Sequence, residues 1–148
     1  MIILKLKKTD SSKGIWLGNA ARRNSELSTR RYLVLKEPVN VLELPQFRED
    51  AVNKVTTLKT EELGADVYYF KPGQVLDFHR HMSDQIFLVL SGRGKFYLQN
   101  GHTQEFDVRE GSNILAPKGV WHKLVNTGQE DLVAVQVTKL PTDLEQKH

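Results

Sequence analysis

Gly73-Gln-Val-Leu-Asp-Phe-His79-Arg-His81-Met-Ser-Asp-Gln85-Ile-Phe-Leu-Val-Leu-Ser-Gly92 is the stretch on which the reading of this chain turns. Side chains two apart on a β-strand point to the same face, so His79 and His81 present both imidazoles to one side. Further on, Gly111-x5-Pro117-x-Gly119-x2-His122-x3-Asn126 brings a third imidazole on a distant strand. Glycine, proline and asparagine bound these strands where tight turns need them, so the residues that position the ligands also set the topology. A lone histidine is usually a hydrogen-bonded core or surface residue. Here the paired spacing and the two glycine frameworks occur together, and His79, His81 and His122 read as one metal site.

Outward from this stretch the strand rhythm is regular. Asp66–Lys71, Gln74–His79, Gln85–Ser91, Lys95–Gln99, Gln104–Val108, Asn113–Ala116, Val120–Val125 and Leu132–Leu140 are strand-like runs separated by turn signals. Such spacing predicts an all-β sandwich or barrel, and Asn100-Gly101 is the strongest hairpin signal. Before it, Tyr32–Lys36, Val39–Leu44 and Lys54–Thr60 are expected as short strands interrupted by Glu37-Pro38 and Leu44-Pro45. Residues 9–31 read as a loop or arm, with the pairs Arg22-Arg23 and Arg30-Arg31 as solvated charge. Met1–Leu6 is expected to pair with a sheet edge, across a two-fold axis if the chain dimerises.

The 148 residues suit one domain with a substantial core. We divide the chain into a β-rich extension at 1–63, a barrel at 64–140 and a tail at 141–148. Apolar content of 39% and charged content of 26% are ordinary for a globular protein, and no apolar run is long enough to span a bilayer. Met1–Lys8 places its apolar residues before its lysines, the wrong order for a secretory signal, so a cytoplasmic protein is expected. With 21 basic and 18 acidic residues the charge is nearly balanced, which argues against nucleic acid or membrane as partner. The absence of cysteine excludes disulfides and thiolate ligation, so any metal is held by nitrogen and oxygen.

Both frameworks resemble the two motifs of the cupin family, matching at nine of ten positions over about residues 64–140. The departure is Gln85, which stands where most cupins carry glutamate. The resemblance implies a double-stranded β-helix, or jelly-roll, barrel around one divalent transition metal: iron, manganese, nickel, copper or zinc. Residue by residue, the family's ligands fall on His79, His81, Gln85 and His122. The barrel does not dictate the substrate, because the same fold serves dioxygenases, isomerases, lyases and non-catalytic binding proteins.

Glutamine in place of glutamate leaves the ion at full +2 and removes a group able to accept a proton. Four protein donors leave one or two positions for water, substrate or dioxygen. A ligand with adjacent oxygens fits such a site. The expected function is therefore a small metal-dependent enzyme acting on an oxygen-rich small molecule. The competing reading is a non-catalytic cupin that binds or senses a small, sugar-like ligand.

Asp84 is expected to point away from the ion and serves as the reserve ligand. Tyr68, Tyr69, Phe78, Phe87, Phe96 and Tyr97 read mainly as packing residues, with a tyrosine hydroxyl as the reserve acid or base. Trp121 should face away from its neighbour His122, His102 is expected to be exposed, and a homodimer is the expected assembly.

Overall fold

The computed structural model describes residues 38–43 and 46–147. The architecture below belongs to the unit Asn40–His148. Among the described residues the regular structure is all strand, and no helix is long and apolar enough to cross a membrane. The strands are β1 (Asn53–Lys59), β2 (Leu63–Phe70), β3 (Val75–His81), β4 (Gln85–Ser91), β5 (Arg93–Asn100), β6 (His102–Arg109), β7 (Asn113–Ala116), β8 (Trp121–Val125), β9 (Leu132–Lys139) and β10 (Leu144–Gln146). They form two antiparallel five-stranded sheets, ordered β1-β2-β9-β4-β7 and β10-β3-β8-β5-β6. This is the expected all-β double-stranded architecture.

Alternation along the strands makes the core. Tyr68 and Phe70 of β2, Phe87 and Val89 of β4, and Leu132 and Ala134 of β9 meet Phe96 of β5, Val108 of β6 and Leu124 of β8. Burying one such aromatic or leucine side chain is worth about 1.5–3 kcal/mol, so this two-sheet cluster is the main source of stability. The inward rows are not apolar throughout. On β9 the row runs Leu132, Ala134, Gln136, Thr138, and on antiparallel β4 it runs Val89, Phe87, Gln85. On β8 Leu124 is followed inward by His122. One half of the interior is therefore oily and the other half polar, and the polar half holds the histidines.

A second cluster forms outside the first sheet, where Val67, Tyr69 and Val133 are covered by Val41 and Phe47. Phe47 meets Tyr69 edge-on at 5.3 Å, and the Tyr69 hydroxyl donates to the Val41 carbonyl at 2.9 Å. Over the described residues 39–43, the strand expected at Val39–Leu44 is not formed: Val41–Glu43 is a turn. Asn40 causes this, because its side-chain oxygen accepts from the Leu42 amide at 3.1 Å and its carbonyl accepts from the Glu43 amide at 3.1 Å. An asparagine that satisfies backbone donors locally competes with strand pairing.

Two features were not visible in sequence. Leu144–Gln146 adds an edge strand beside β3, with Leu144 opposite His81 and Gln146 opposite His79. Arg80 anchors it through Glu145 at 2.7 Å. Asn126, read as a turn residue, is fully buried; its amide nitrogen donates to the carbonyls of Glu130 at 2.8 Å and Phe70 at 3.3 Å, while its oxygen accepts from the Gly128 amide at 3.0 Å. The expected strand at Tyr32–Lys36, the pairing of Met1–Leu6, the two arginine pairs and His148 lie outside the described residues.

Candidate metal centre

β3 supplies His79 and His81 on one face, and β8, its hydrogen-bonded neighbour, places His122 directly opposite His79. The second glycine framework aids this alignment. The Gly119 amide in the β7–β8 turn donates to the His81 carbonyl at 2.8 Å, tying the approach to His122 to the strand that carries the other two imidazoles. The three side chains are 5%, 9% and 1% exposed, and one ring nitrogen from each lies within 4.8 Å of the others. The ring centres of His79 and His122 are 4.3 Å apart.

Hydrogen bonding decides which nitrogens are free. His79 Nδ1 lies 2.7 Å from the Asp77 carbonyl and His122 Nδ1 lies 3.1 Å from the Val120 carbonyl. A carbonyl only accepts, so each Nδ1 carries the proton and each Nε2 is left with a bare lone pair. Both Nε2 atoms are buried without a partner, as are both ring nitrogens of His81. Unpaired buried polar atoms are costly and rare in folded proteins, and a cluster of them calls for a partner such as ordered water or an ion.

Electrostatics keeps these rings neutral. Burial is the main cause of the low pKa of all three; it and the repulsion from His79 bring His81 down to about 4 and His122 to about 3. Lys54 lowers His79 and His81 further, while Asp66 partly opposes it at His81. Neutral imidazole is the metal-binding form. The three histidines can therefore hold a metal ion near neutral pH.

Gln85 enters from the opposite sheet. It begins β4, is 1% exposed, and its amide nitrogen donates to the Thr138 hydroxyl at 3.0 Å. That bond uses the donor side and leaves the carbonyl oxygen buried with no partner. Asp84 turns the other way, where its carboxylate accepts from the Lys118 amide at 2.8 Å, as the alternation of the strand requires. The three imidazole nitrogens are chemically suited to a borderline divalent ion.

Around the histidines the two halves of the interior meet. Phe87 packs on His122 at 5.6 Å and Phe96 stacks on it at 6.1 Å, forming an apolar floor that keeps water out. A cavity of about 370 Å³ opens over His79 and His81, and Lys54, Tyr68, Leu76 and Leu144 are among the residues lining it. The polar groups that support its lining residues Lys54 and Tyr68 were largely missed in sequence. Lys54 pairs with Asp66 at 2.8 Å, the Thr56 hydroxyl donates to Asp66 at 2.6 Å, and the Tyr68 hydroxyl donates to the Gln136 side-chain oxygen at 2.9 Å. Burial, with a smaller effect of Asp66, pushes the Tyr68 phenol well above its usual pKa. The available signal was Gln136 and Thr138 at alternate positions in the otherwise apolar run 132–138 of β9, where polar residues on an inward row mark a site.

Other expected roles sort simply. Trp121 faces away from His122, with the Arg80 guanidinium 4.6 Å from its ring, and His102 is exposed. Tyr68, Tyr69, Phe87 and Phe96 are buried; Phe78 and Tyr97 are half-buried and meet each other at 6.4 Å.

Comparison with known proteins agrees with this geometry. Residues 66–138 match the family described as the cupin domain. The auxin-binding protein T92 of Nicotiana tabacum is 32% identical over 117 residues, covering 69% of this chain and 63% of that protein. Gentisate 1,2-dioxygenase from a Ralstonia species is 28% identical over 116 residues, covering 78% of this chain but 29% of the enzyme. The chain thus spans less than two thirds of the length of these relatives. A conserved protein with a double-stranded β-helix domain from Klebsiella pneumoniae superposes with a TM-score of 0.65 at 23% identity, covering 76% of this chain and 99% of that one. The two motif frameworks, the double-stranded β architecture and the domain match place this chain in the cupin family.

Proposed function

We propose that this chain binds one divalent transition metal through His79, His81, His122 and Gln85 and uses it to act on a small oxygen-rich molecule. The observation that carries the reading is the set of buried, unpartnered donor atoms: His79 Nε2, His122 Nε2, the nitrogens of His81 and the Gln85 carbonyl oxygen. A divalent ion, when bound, would supply Lewis acidity toward a ligand oxygen.

The chain's own residues do the rest. Asp77 and Val120 hold His79 and His122 in the tautomer that aims a lone pair inward, and Thr138 orients the Gln85 amide in the same way. Phe87 and Phe96 exclude water from one side, and the cavity on the other side admits a ligand. No carboxylate of the chain stands in the family's glutamate position, so proton transfer in an enzymatic reaction falls to another group. Tyr68, which lines the cavity, and Asp66, paired with the cavity-lining Lys54, are candidates for such a role. The relative named as a dioxygenase supports an enzymatic reading of dioxygenase, isomerase or lyase type.

A second reading, a non-catalytic binder of a small molecule, is favoured by Gln85 in place of an acid and by the relatives named as auxin-binding. The two are separated by assaying a panel of enediols, hydroxy ketones and hydroxy acids on metal-loaded protein while oxygen consumption is monitored. Metal binding itself is tested by elemental analysis of untagged protein: about one ion per chain is expected for the parent and far less for His79→Ala/His122→Ala that retains its strand signature. A parent that takes up no metal on titration contradicts both the assignment and the catalytic reading.

We also propose a homodimer. Ile86, Leu115 and Val137 are 48%, 55% and 38% exposed, and the register sets them side by side on the outer face of three adjacent strands. Apolar rows of this kind commonly mark interfaces. Sedimentation velocity should show a dimer that Leu115→Lys dissociates; a parent monomer at all concentrations refutes the assembly.

A further inference from the structure

The inward row of β9, next to the cavity-lining Tyr68, contains a buried donor for which the metal has no use. Gln136 lies on the inward row of β9 and is 1% exposed. Its side-chain oxygen is taken by the Tyr68 hydroxyl at 2.9 Å, while its amide nitrogen has no partner. An –NH2 group carries two hydrogens and no useful lone pair, so it cannot ligate an ion as the imidazoles do; it calls for an acceptor oxygen. Gln136 is also one step along the row from Thr138, the residue that orients Gln85.

Two neighbours give this donor a direction and a charge. Tyr68 lines the cavity and, through its hydroxyl, holds the Gln136 amide with its nitrogen side free. Lys54 lines the same cavity, with its ammonium 5.8 Å from the centre of the Tyr68 ring and 2.8 Å from Asp66. Beside the cavity the chain thus offers an amide N–H2 and an ammonium with three N–H donors, of which Asp66 takes one. The acceptor-only group with two oxygens that matches them is a carboxylate.

We infer that Gln136, Tyr68 and Lys54 form a second subsite of the cavity, separate from the histidines, which takes the carboxylate of a small organic acid. Gln136 and Lys54 donate to the carboxylate oxygens, and Tyr68 is a positioning residue that acts through Gln136. This rests on the reading above in one respect: the remainder of the acid, a hydroxyl or keto oxygen, is directed toward the histidine wall. A hydroxy or oxo acid is therefore the ligand class.

Lactate is a suitable probe, with lactamide as its neutral counterpart, and both are titrated calorimetrically into full-length protein with and without saturating zinc. Removing both partners of a buried hydrogen bond is close to neutral for stability, so Tyr68→Phe/Gln136→Leu is the clean variant. Its lactate dissociation constant should rise roughly tenfold or more, as should that of Lys54→Met, each about the 1.4 kcal/mol lost with one charge-assisted contact. Lactamide should bind more weakly than lactate to the parent. Zinc content should stay at the parental level in both variants. If the double variant fails to fold, Lys54→Met decides. The inference is overturned if lactate affinity in the folded variants stays within about twofold of the parent, or if the parent binds lactate at millimolar concentration in neither form. Zinc titration of the parent tests the metal reading on its own, and the lactate titrations of zinc-free protein still test the subsite should that reading fail.

Discussion

At the scale of single residues, the chemistry turns on Gln85. Its spacing from His81 was legible in sequence and so was its departure from the family's acid. Its orientation was not, because that depends on the Thr138 hydroxyl, 53 residues away along the chain. With the amide nitrogen held by Thr138, the carbonyl oxygen is left buried without a partner, and it is the atom we propose as the fourth ligand. Gln85→Glu should therefore act in opposite senses with and without metal. A carboxylate is the stronger donor, so zinc affinity measured by chelator competition should rise roughly tenfold or more. In the metal-free chain the same buried acid lacks a countercharge, and urea unfolding at pH 7 should show a loss of about 1–3 kcal/mol. Unchanged zinc affinity would remove Gln85 from the coordination sphere.

At the scale of elements, the strands that carry the site were the most readable part of the molecule. Gln85–Ser91 and Asn113–Ala116 end where the alternation and turn residues predict. The failures have local causes: Asn40 wraps its own backbone into a turn, and β10 is a three-residue exposed edge strand whose only large apolar residue, Leu144, shows no alternation. The turn between β4 and β5 shows why the framework glycines are required. Gly92 has a φ of 82°, and a Cβ there would lie 2.4 Å from the Asp131 carbonyl oxygen. Both the left-handed backbone and the close approach to the start of β9 exclude a side chain. Gly92→Ala should cost about 1–3 kcal/mol in denaturant unfolding, whereas Gly101→Ala, in a turn with φ of 79° but open space around it, should cost less. Equal losses in the two would show that strain alone, without the clash, governs the site.

At the scale of the whole molecule, the half-oily, half-polar interior couples the site to stability. All three site histidines have folded pKa values below the ordinary 6.5, His81 at about 4 and His122 at about 3. In the unfolded chain their rings take up protons as pH falls through about 6.5, while in the folded chain they stay neutral to much lower pH. Their contribution is therefore present above 6.5 and is lost progressively as pH falls toward the folded values. The metal-free protein should lose stability steadily between about pH 6.5 and 5.5, above the range where most ordinary carboxylates titrate. Urea unfolding across that window checks this, and His122→Asn should reduce the slope; a parent whose stability is level there would contradict the neutral, buried state of these rings. The sequence by itself determined the all-β class, the three imidazoles and their turn residues, because two-residue alternation and turn chemistry are local properties. Only the tertiary structure decided which sheet faces which, that Gln85 is turned by Thr138, and that Tyr68 meets both Lys54 and Gln136. Those facts depend on strand order and on hydrogen bonds between residues far apart in the chain, and no local pattern encodes the register that brings them together.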